Sequence, residues 1–174
     1  ITKVGQGVSV ELKSNDPYKR WVQTSVIRGT ANGSISAIAY APLGDITAAQ
    51  FMALAQIQRN LNADVRLTNR QNVVFRALSE DQLEVLYKAL EAIGMAAPGA
   101  ELARDVVACP GSDTCNIAIT QSRGLAKAIG EALEEEGLAE VGGVRINISC
   151  CTNSCGQHHA SDIGFFGAER RAHG

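Results

Sequence analysis

Five cysteines carry most of the chemistry this sequence can offer. Four stand as two pairs, Cys109-Pro-Gly-Ser-Asp-Thr-Cys115 and Cys151-Thr-Asn-Ser-Cys155, and Cys150 directly precedes the second pair. Thiolates in two Gly- or Asn-containing loops can wrap one soft metal centre. Structural zinc usually has about two to four residues between paired cysteines, so the spacing of Cys109 and Cys115 suits it poorly. An iron–sulfur cube, also held by four thiolates, has the larger envelope that a wider pair can span. Zinc, and buried cysteines without a metal, stay open as alternatives on spacing alone. His158-His159 follows the second pair, but neighbours on an extended segment point to opposite faces, so joint metal binding is not expected. Glu134-Glu135-Glu136 reads as a solvated helix end.

The elements that must position these loops are legible in the periodicity. Ile35, Ala37 and Ala39 alternate with Ser36, Ile38 and Tyr40 as a strand closed by Pro42-Leu43-Gly44. Thr47-Ala48-Ala49-Gln50 has capping-box spacing, and Phe51, Leu54, Ile57 and Leu61 continue it as an amphipathic helix. Two short β-rich runs, 64–68 and 72–78, are joined by Asn69-Arg70-Gln71. A second capping box, Ser79 to Gln82, opens a helix through Leu83, Leu86, Leu90 and Ile93 that ends near Gly94. This order predicts an α+β half-sandwich, with helices packed on one face of a small sheet. Residues 1–32 show no clear period and read as an arm or linker, and Pro98-Gly99 marks a boundary. Beyond it, Leu125, Ile129 and Leu133 predict a helix that Gly137 can cap. Val144, Ile146 and Ile148 then alternate with Arg145, Asn147 and Ser149 in a strand running straight into the cysteines.

Composition narrows the class. The chain has 174 residues, 45% hydrophobic and 20% charged, which is the make-up of a folded domain and not of a disordered chain. Sixteen basic against eighteen acidic residues leave a net charge of −2, so there is no electrostatic case for a nucleic-acid or polybasic membrane partner. No run approaches the roughly 18 apolar residues of a membrane span, and 1–30 is too polar for a secretory signal. The expectation is a cytoplasmic protein with reduced thiols. The start at Ile1, without methionine, is read as an internal piece of something longer.

The motifs also form a series. Cys151-x3-Cys155 is followed, after Gly156 to Ser161, by Asp162-Ile163-Gly164-Phe165; Cys109-x5-Cys115 precedes it, and Arg66-Leu67-Thr68-Asn69-Arg70-Gln71 lies further upstream. In this order, from about residue 33 to the end, the chain resembles the siroheme-dependent nitrite and sulfite reductases. The resemblance implies a ferredoxin-like half-domain over 33–98 and a 4Fe–4S and siroheme-binding α/β domain over 99–174, cut short at its C-terminus. It implies a 4Fe–4S cube on Cys109, Cys115, Cys151 and Cys155, with the Cys155 sulfur also bridging to the siroheme iron and Asn153 at the cofactor. Arg66, Thr68, Arg70 and Gln71 match the motif that grips siroheme, whose carboxylates call for cations and donors. Arg104 and Arg145, before the two cysteine loops, match substrate cations.

The implied reaction is a six-electron reduction of nitrite to ammonia or of sulfite to sulfide. Its electrons would come from ferredoxin or a flavoprotein reductase, and a second copy of the unit, in the same chain or a partner, would close the site. One unit alone is expected to be inactive. Several positions depart from the family pattern: Cys150 stands for Gly, Thr152 for Pro, Gly143 for a second cation, and Tyr40 to Leu43 lacks an arginine. The competing class is a non-catalytic repeat, or an iron–sulfur or, less readily, zinc module without siroheme. Arg66 and Arg70 are expected to be exposed, contributing little to stability.

Overall fold

A computed structural model describes residues 14–29 and 34–169, divided into two compact units that meet in sequence between Glu101 and Leu102. In the first unit Asp16 caps a helix, accepting from the backbone N–H groups of Tyr18 (2.9 Å) and Lys19 (3.3 Å), with Pro17 at its first position. This helix α1 (Pro17–Ser25) buries Trp21 completely and runs directly into strand β1 (Val26–Arg28). The expectation of an arm is therefore corrected for this stretch; 1–13 and 30–32 lie outside the described residues. A nine-residue helix with one deeply buried aromatic gives too little periodicity to be read locally.

Strand β2 (Ile35–Ala39), helix α2 (Ala48–Leu61), strands β3 (Asp64–Leu67) and β4 (Val73–Leu78), and helix α3 (Glu80–Ala92) complete the unit. The sheet is antiparallel, in the order β1-β2-β4-β3. Both capping boxes form: Thr47 N–H donates to Gln50 Oε1 at 2.9 Å, and Ser79 N–H donates to Gln82 Oε1 at 3.0 Å. Ile35, Ala37, Ala39, Val73 and Phe75 turn inward to meet Trp21, Leu54, Ile57, Leu86 and Leu90. Ala37 pairs with Phe75 but Ile35 pairs with Leu78, so β4 carries one extra residue, with Ala77 at φ +57°. That bulge returns Leu78 to the core face, where a regular strand would turn it outward. The opposite face holds Ile38 against Tyr40 and Ala100, and Arg66 lies on it, across from Val74.

The second unit contains strand β5 (Val107–Ala108), helix α4 (Ser122–Glu135), and strands β6 (Ile146–Ser149) and β7 (Ile163–Phe166). The three strands are parallel, in the order β5-β6-β7. All four residues of β6 are buried, Asn147 and Ser149 among them. The alternation read in this strand does not separate an inner from an outer face, because a central strand of a parallel sheet is covered on both sides. Among the described residues no helix is long and apolar enough to cross a membrane.

Candidate metal centre

The register of β5 on β6 sets the geometry of the cysteine loops. Ala108 lies beside Ile148, and Cys109 N–H donates to the Ile148 carbonyl at 3.1 Å. Both loops therefore leave the carboxyl ends of adjacent parallel strands, the edge at which open α/β sheets bind ligands. Cys109, Cys150 and Cys151 meet there as one buried group, with Ala118 packed against it. Cys115 is half-buried and Cys155 exposed. The placement of Cys150 inside this trio is a feature that spacing did not reveal.

Cys109 sits where a thiolate is stabilised. The Cys150 backbone N–H donates to its sulfur at 3.1 Å, and Ser122 Oγ, at the start of α4, lies 3.3 Å away. Burial pushes the Cys109 thiol up, but the hydrogen bonds from Ser122 and from Cys150 outweigh it and hold it below the ordinary thiol value. Burial, together with hydrogen bonds to Cys109 and Cys151, pushes the Cys150 thiol up to about 12. The two neighbouring thiols are thus shifted in opposite directions, Cys109 down and Cys150 up.

Polar side chains that the sequence reading passed over hold the loops in place. Ser122 Oγ donates to the Cys109 carbonyl at 2.7 Å, and Thr120 Oγ1 donates to the Cys150 carbonyl at 3.1 Å, tying the first loop to the second. Asn147 Nδ2 donates to the Gly156 carbonyl at 2.9 Å, and Gly156 N–H donates to Ser149 Oγ at 3.1 Å. His158 is buried with Nδ1 2.9 Å from the same Ser149 hydroxyl. Single Ser and Asn residues inside apolar runs carry no local signal of such work. His158 and His159 occupy a 3-10 turn and not an extended segment, so their rings lie 3.9 Å apart, correcting the opposite-face expectation. Among the described residues no three His, Cys, Asp or Glu side chains converge on a single-ion site.

The two candidate substrate cations are not brought to the cysteines. Arg145 immediately precedes β6 and is exposed, its N–H donating to Asp162 Oδ2 at 2.8 Å. Five residues of nearly extended chain, about 16 Å, separate it from Cys150. Arg104 pairs with Glu134 Oε1 at 2.8 Å, near the last turn of α4. Glu134 lies twelve residues, about 18 Å, along the helix from Ser122. The physical reason is strand polarity: residues before a strand emerge at its amino end, and the cysteine loops at its carboxyl end. Glu134 is accordingly an ion-pair partner and not simply a solvated helix end.

In the first unit, the turn after β3 carries the candidate siroheme grip. Thr68 Oγ1 accepts from the N–H groups of Arg70 (3.3 Å) and Asn72 (3.1 Å), and Gln71 adopts φ +66°. Asn72, fully buried, fastens this turn to the preceding loop by accepting from Ala41 N–H at 2.9 Å. Arg66 is 61% exposed and pairs with Asp64 at 2.6 Å. Arg70 differs: its side chain is only 7% exposed and lies 3.6 Å from Glu101 Oε2. Asn153 is exposed in the second cysteine loop. The expectation that both arginines are exposed fails for Arg70, because the tight turn folds its side chain inward. Arg66→Ala is expected to change the stability of the cofactor-free protein by about 0–1 kcal/mol, and Arg70→Ala to lower it by about 1–3 kcal/mol. Urea titrations of the two variants check this.

Cysteine loops at the carboxyl edge of a parallel sheet, following an antiparallel α+β unit, define a protein whose second unit offers soft metal ligands at one sheet edge. Residues 31–93 match the nitrite/sulfite reductase ferredoxin-like half domain, and residues 99–174 match the nitrite and sulphite reductase 4Fe-4S domain. The chain belongs to the nitrite and sulfite reductase family. It is 35% identical over 136 residues to a ferredoxin–nitrite reductase of Synechococcus elongatus, covering 78% of this chain and 26% of that protein. It is 26% identical over 159 residues to a ferredoxin sulfite reductase of Mycobacterium tuberculosis, covering 87% and 28%. The solved structure of Mycobacterium tuberculosis NirA superposes with a TM-score of 0.70 at 26% identity, covering 87% of this chain and 29% of that one. The chain thus spans about a quarter of the length of these relatives.

The family's 4Fe–4S cluster and siroheme can be tested against the side chains present. The donor set is soft, the two loops leave one sheet edge, and Cys109 accepts a backbone N–H bond of the kind that tunes cluster sulfurs. The residues fit the cluster.

Proposed function

We propose that this chain is the cluster-holding part of a siroheme-dependent reductase that takes nitrite to ammonia or sulfite to sulfide in a six-electron reduction. The observation that carries the reading is the β5–β6 register, which sets the Cys109 loop beside the Cys150–Cys155 loop at one sheet edge. Cys109, Cys115, Cys151 and Cys155 would hold the cluster, and Cys155, which is exposed, would be the ligand open to siroheme. When bound, the pair of cofactors supplies one-electron transfer and a metal site for the substrate anion.

The chain's own residues have preparatory roles in this reading. The Cys150 N–H, aimed at the Cys109 sulfur, favours its thiolate, Ser122 holds the Cys109 carbonyl, and Asn147 and Ser149 fix the backbone just after Cys155. Arg66, Gln71, Asn153 and the hydroxyl proton of Thr68 are the groups offered to siroheme carboxylates. Arg70 contributes chiefly by holding its turn. Arg104 and Arg145 are the chain's own cations for the substrate anion, and the remaining positive charge would come from a second copy of the unit. The named relatives use ferredoxin, and ferredoxin is the electron donor proposed here. Anaerobic reconstitution of the full-length protein with iron, sulfide and siroheme tests the reading. The expected result is a visible spectrum with siroheme bands and four iron atoms per chain beyond the haem; a colourless protein holding zinc overturns it.

A further inference from the structure

His158 is an imidazole with no part in the ligand set proposed above, yet it is buried a few residues beyond Cys155. It is 6% exposed. Its Nδ1 lies 2.9 Å from Ser149 Oγ, and its ring stacks on Phe166 with centroids 5.3 Å apart. Ser149 and Phe166 are register partners, the last pair of β6 and β7 at the carboxyl edge of the sheet. One ring therefore touches both strands where their pairing ends. The main chain of the same turn is seated as closely. Ser161 Oγ donates to the His158 carbonyl at 2.9 Å, and Gly164 of β7 lies against that carbonyl with no room for a Cβ.

We propose that His158 is a positioning residue for Cys155: it orients the Ser149 hydroxyl, the hydroxyl holds the Gly156 N–H, and that bond fixes the backbone next to the cysteine. This inference rests on the reading of Cys155 as a ligand. The physical argument is one of donors and acceptors. A serine hydroxyl has one proton and two lone pairs. Gly156 N–H donates to Ser149 Oγ at 3.1 Å, which leaves the hydroxyl proton to be placed. Ser149 is 1% exposed, so bulk water does not reach it. Nδ1 of a neutral imidazole accepts a hydrogen bond, and its distance suits one from the hydroxyl. A hydroxyl that donates in one direction is a fixed acceptor in the other, and bonds linked in this way strengthen each other. Without the imidazole nitrogen a buried proton loses its acceptor, and the Gly156 N–H faces a hydroxyl free to turn.

The test compares full-length wild type with His158→Phe, His158→Asn, Ser149→Ala and the double variant His158→Phe/Ser149→Ala. Phenylalanine keeps a ring on Phe166 and loses the nitrogen; asparagine loses the ring and keeps a polar acceptor near the place of Nδ1. Two readouts are taken: deuterium uptake at the Gly156 amide of the cofactor-free protein, and iron, sulfide and cluster EPR after anaerobic reconstitution. In His158→Phe, Ser149→Ala and the double variant, the Gly156 amide is expected to exchange about tenfold faster than in wild type, with less iron bound and an altered EPR line shape. His158→Asn is expected to stay close to wild type in both readouts. His158→Phe that matches wild type throughout, with a full cluster, overturns the inference and leaves the ligand reading standing. So does His158→Asn as impaired as His158→Phe, or single effects that simply add in the double variant, since residues acting through one bond do not add. If His158→Phe fails to fold, the other single variants decide: Ser149→Ala impaired with His158→Asn intact supports the inference, and Ser149→Ala unchanged overturns it. A wild-type protein that takes up no cluster overturns the ligand reading and this inference together.

Discussion

Serine in place of Cys109 is expected to remove the iron–sulfur cluster from the full-length protein, while serine in place of Cys150 leaves it. The two residues are equally buried and touch each other, so any difference between them reports chemistry and not access. Cys109 is the sulfur that receives the Cys150 N–H, and that bond favours the thiolate, the form that would ligate iron in the proposed reading. A serine hydroxyl at the same place is a far poorer iron ligand at neutral pH, and an incomplete thiolate set does not retain the cube. Loss is expected to be close to complete for Cys109→Ser, Cys115→Ser, Cys151→Ser and Cys155→Ser. Iron and sulfide quantitation after anaerobic purification checks it. Cluster retained in Cys151→Ser but lost in Cys150→Ser would exchange the roles of those two neighbours.

The second large effect falls on a residue that touches no metal. Gly156→Ala is expected to destabilise the protein by about 1–3 kcal/mol through overpacking, and to empty the cluster site. A Cβ at Gly156 would overlap the Ile148 carbonyl oxygen, with the Ile148 carbonyl carbon at 2.8 Å and Ser149 Oγ at 3.1 Å. The obstructing atoms are β6 backbone, which cannot rotate away. The loop would have to lift, breaking the Asn147 bond to the Gly156 carbonyl and the Gly156 bond to Ser149. Cys155 is the preceding residue and would move with it. Gly137→Ala is the control: its φ is +69° but nothing lies within 4 Å of the added carbon, so a backbone cost of about 1 kcal/mol is the whole effect. Denaturant midpoints and iron content, measured on both variants, separate a crowded cradle from a strained turn.

Local order in this protein is determined by neighbours in sequence, and the sequence alone disclosed it. Thr47 with Gln50 and Ser79 with Gln82 close their capping boxes within one turn. The α+β class, the two helices flanking β3 and β4, and the soft-metal chemistry of the paired cysteines needed only spacing for the same reason. Helix α1 escaped because its evidence is tertiary: Trp21 counts as core only once α3 supplies Tyr87, with ring centroids 5.5 Å apart.

What the tertiary structure decided concerns partners distant in the chain. Arg70 looked like Arg66 in sequence, two residues from Thr68 on the other side, yet the turn buries one beside Glu101 and leaves the other exposed. Asn147 and Ser149 alternate with apolar residues in the sequence, yet both are buried, because β6 is the central strand of a parallel sheet covered on both faces. Arg104 and Arg145 stood close to the cysteines in number, but parallel strands send residues that precede them to one edge and residues that follow to the other. Proximity along an extended chain is distance in space, at about 3.3 Å for each residue. Cys109 and Cys150, far apart in number, touch because adjacent parallel strands end together.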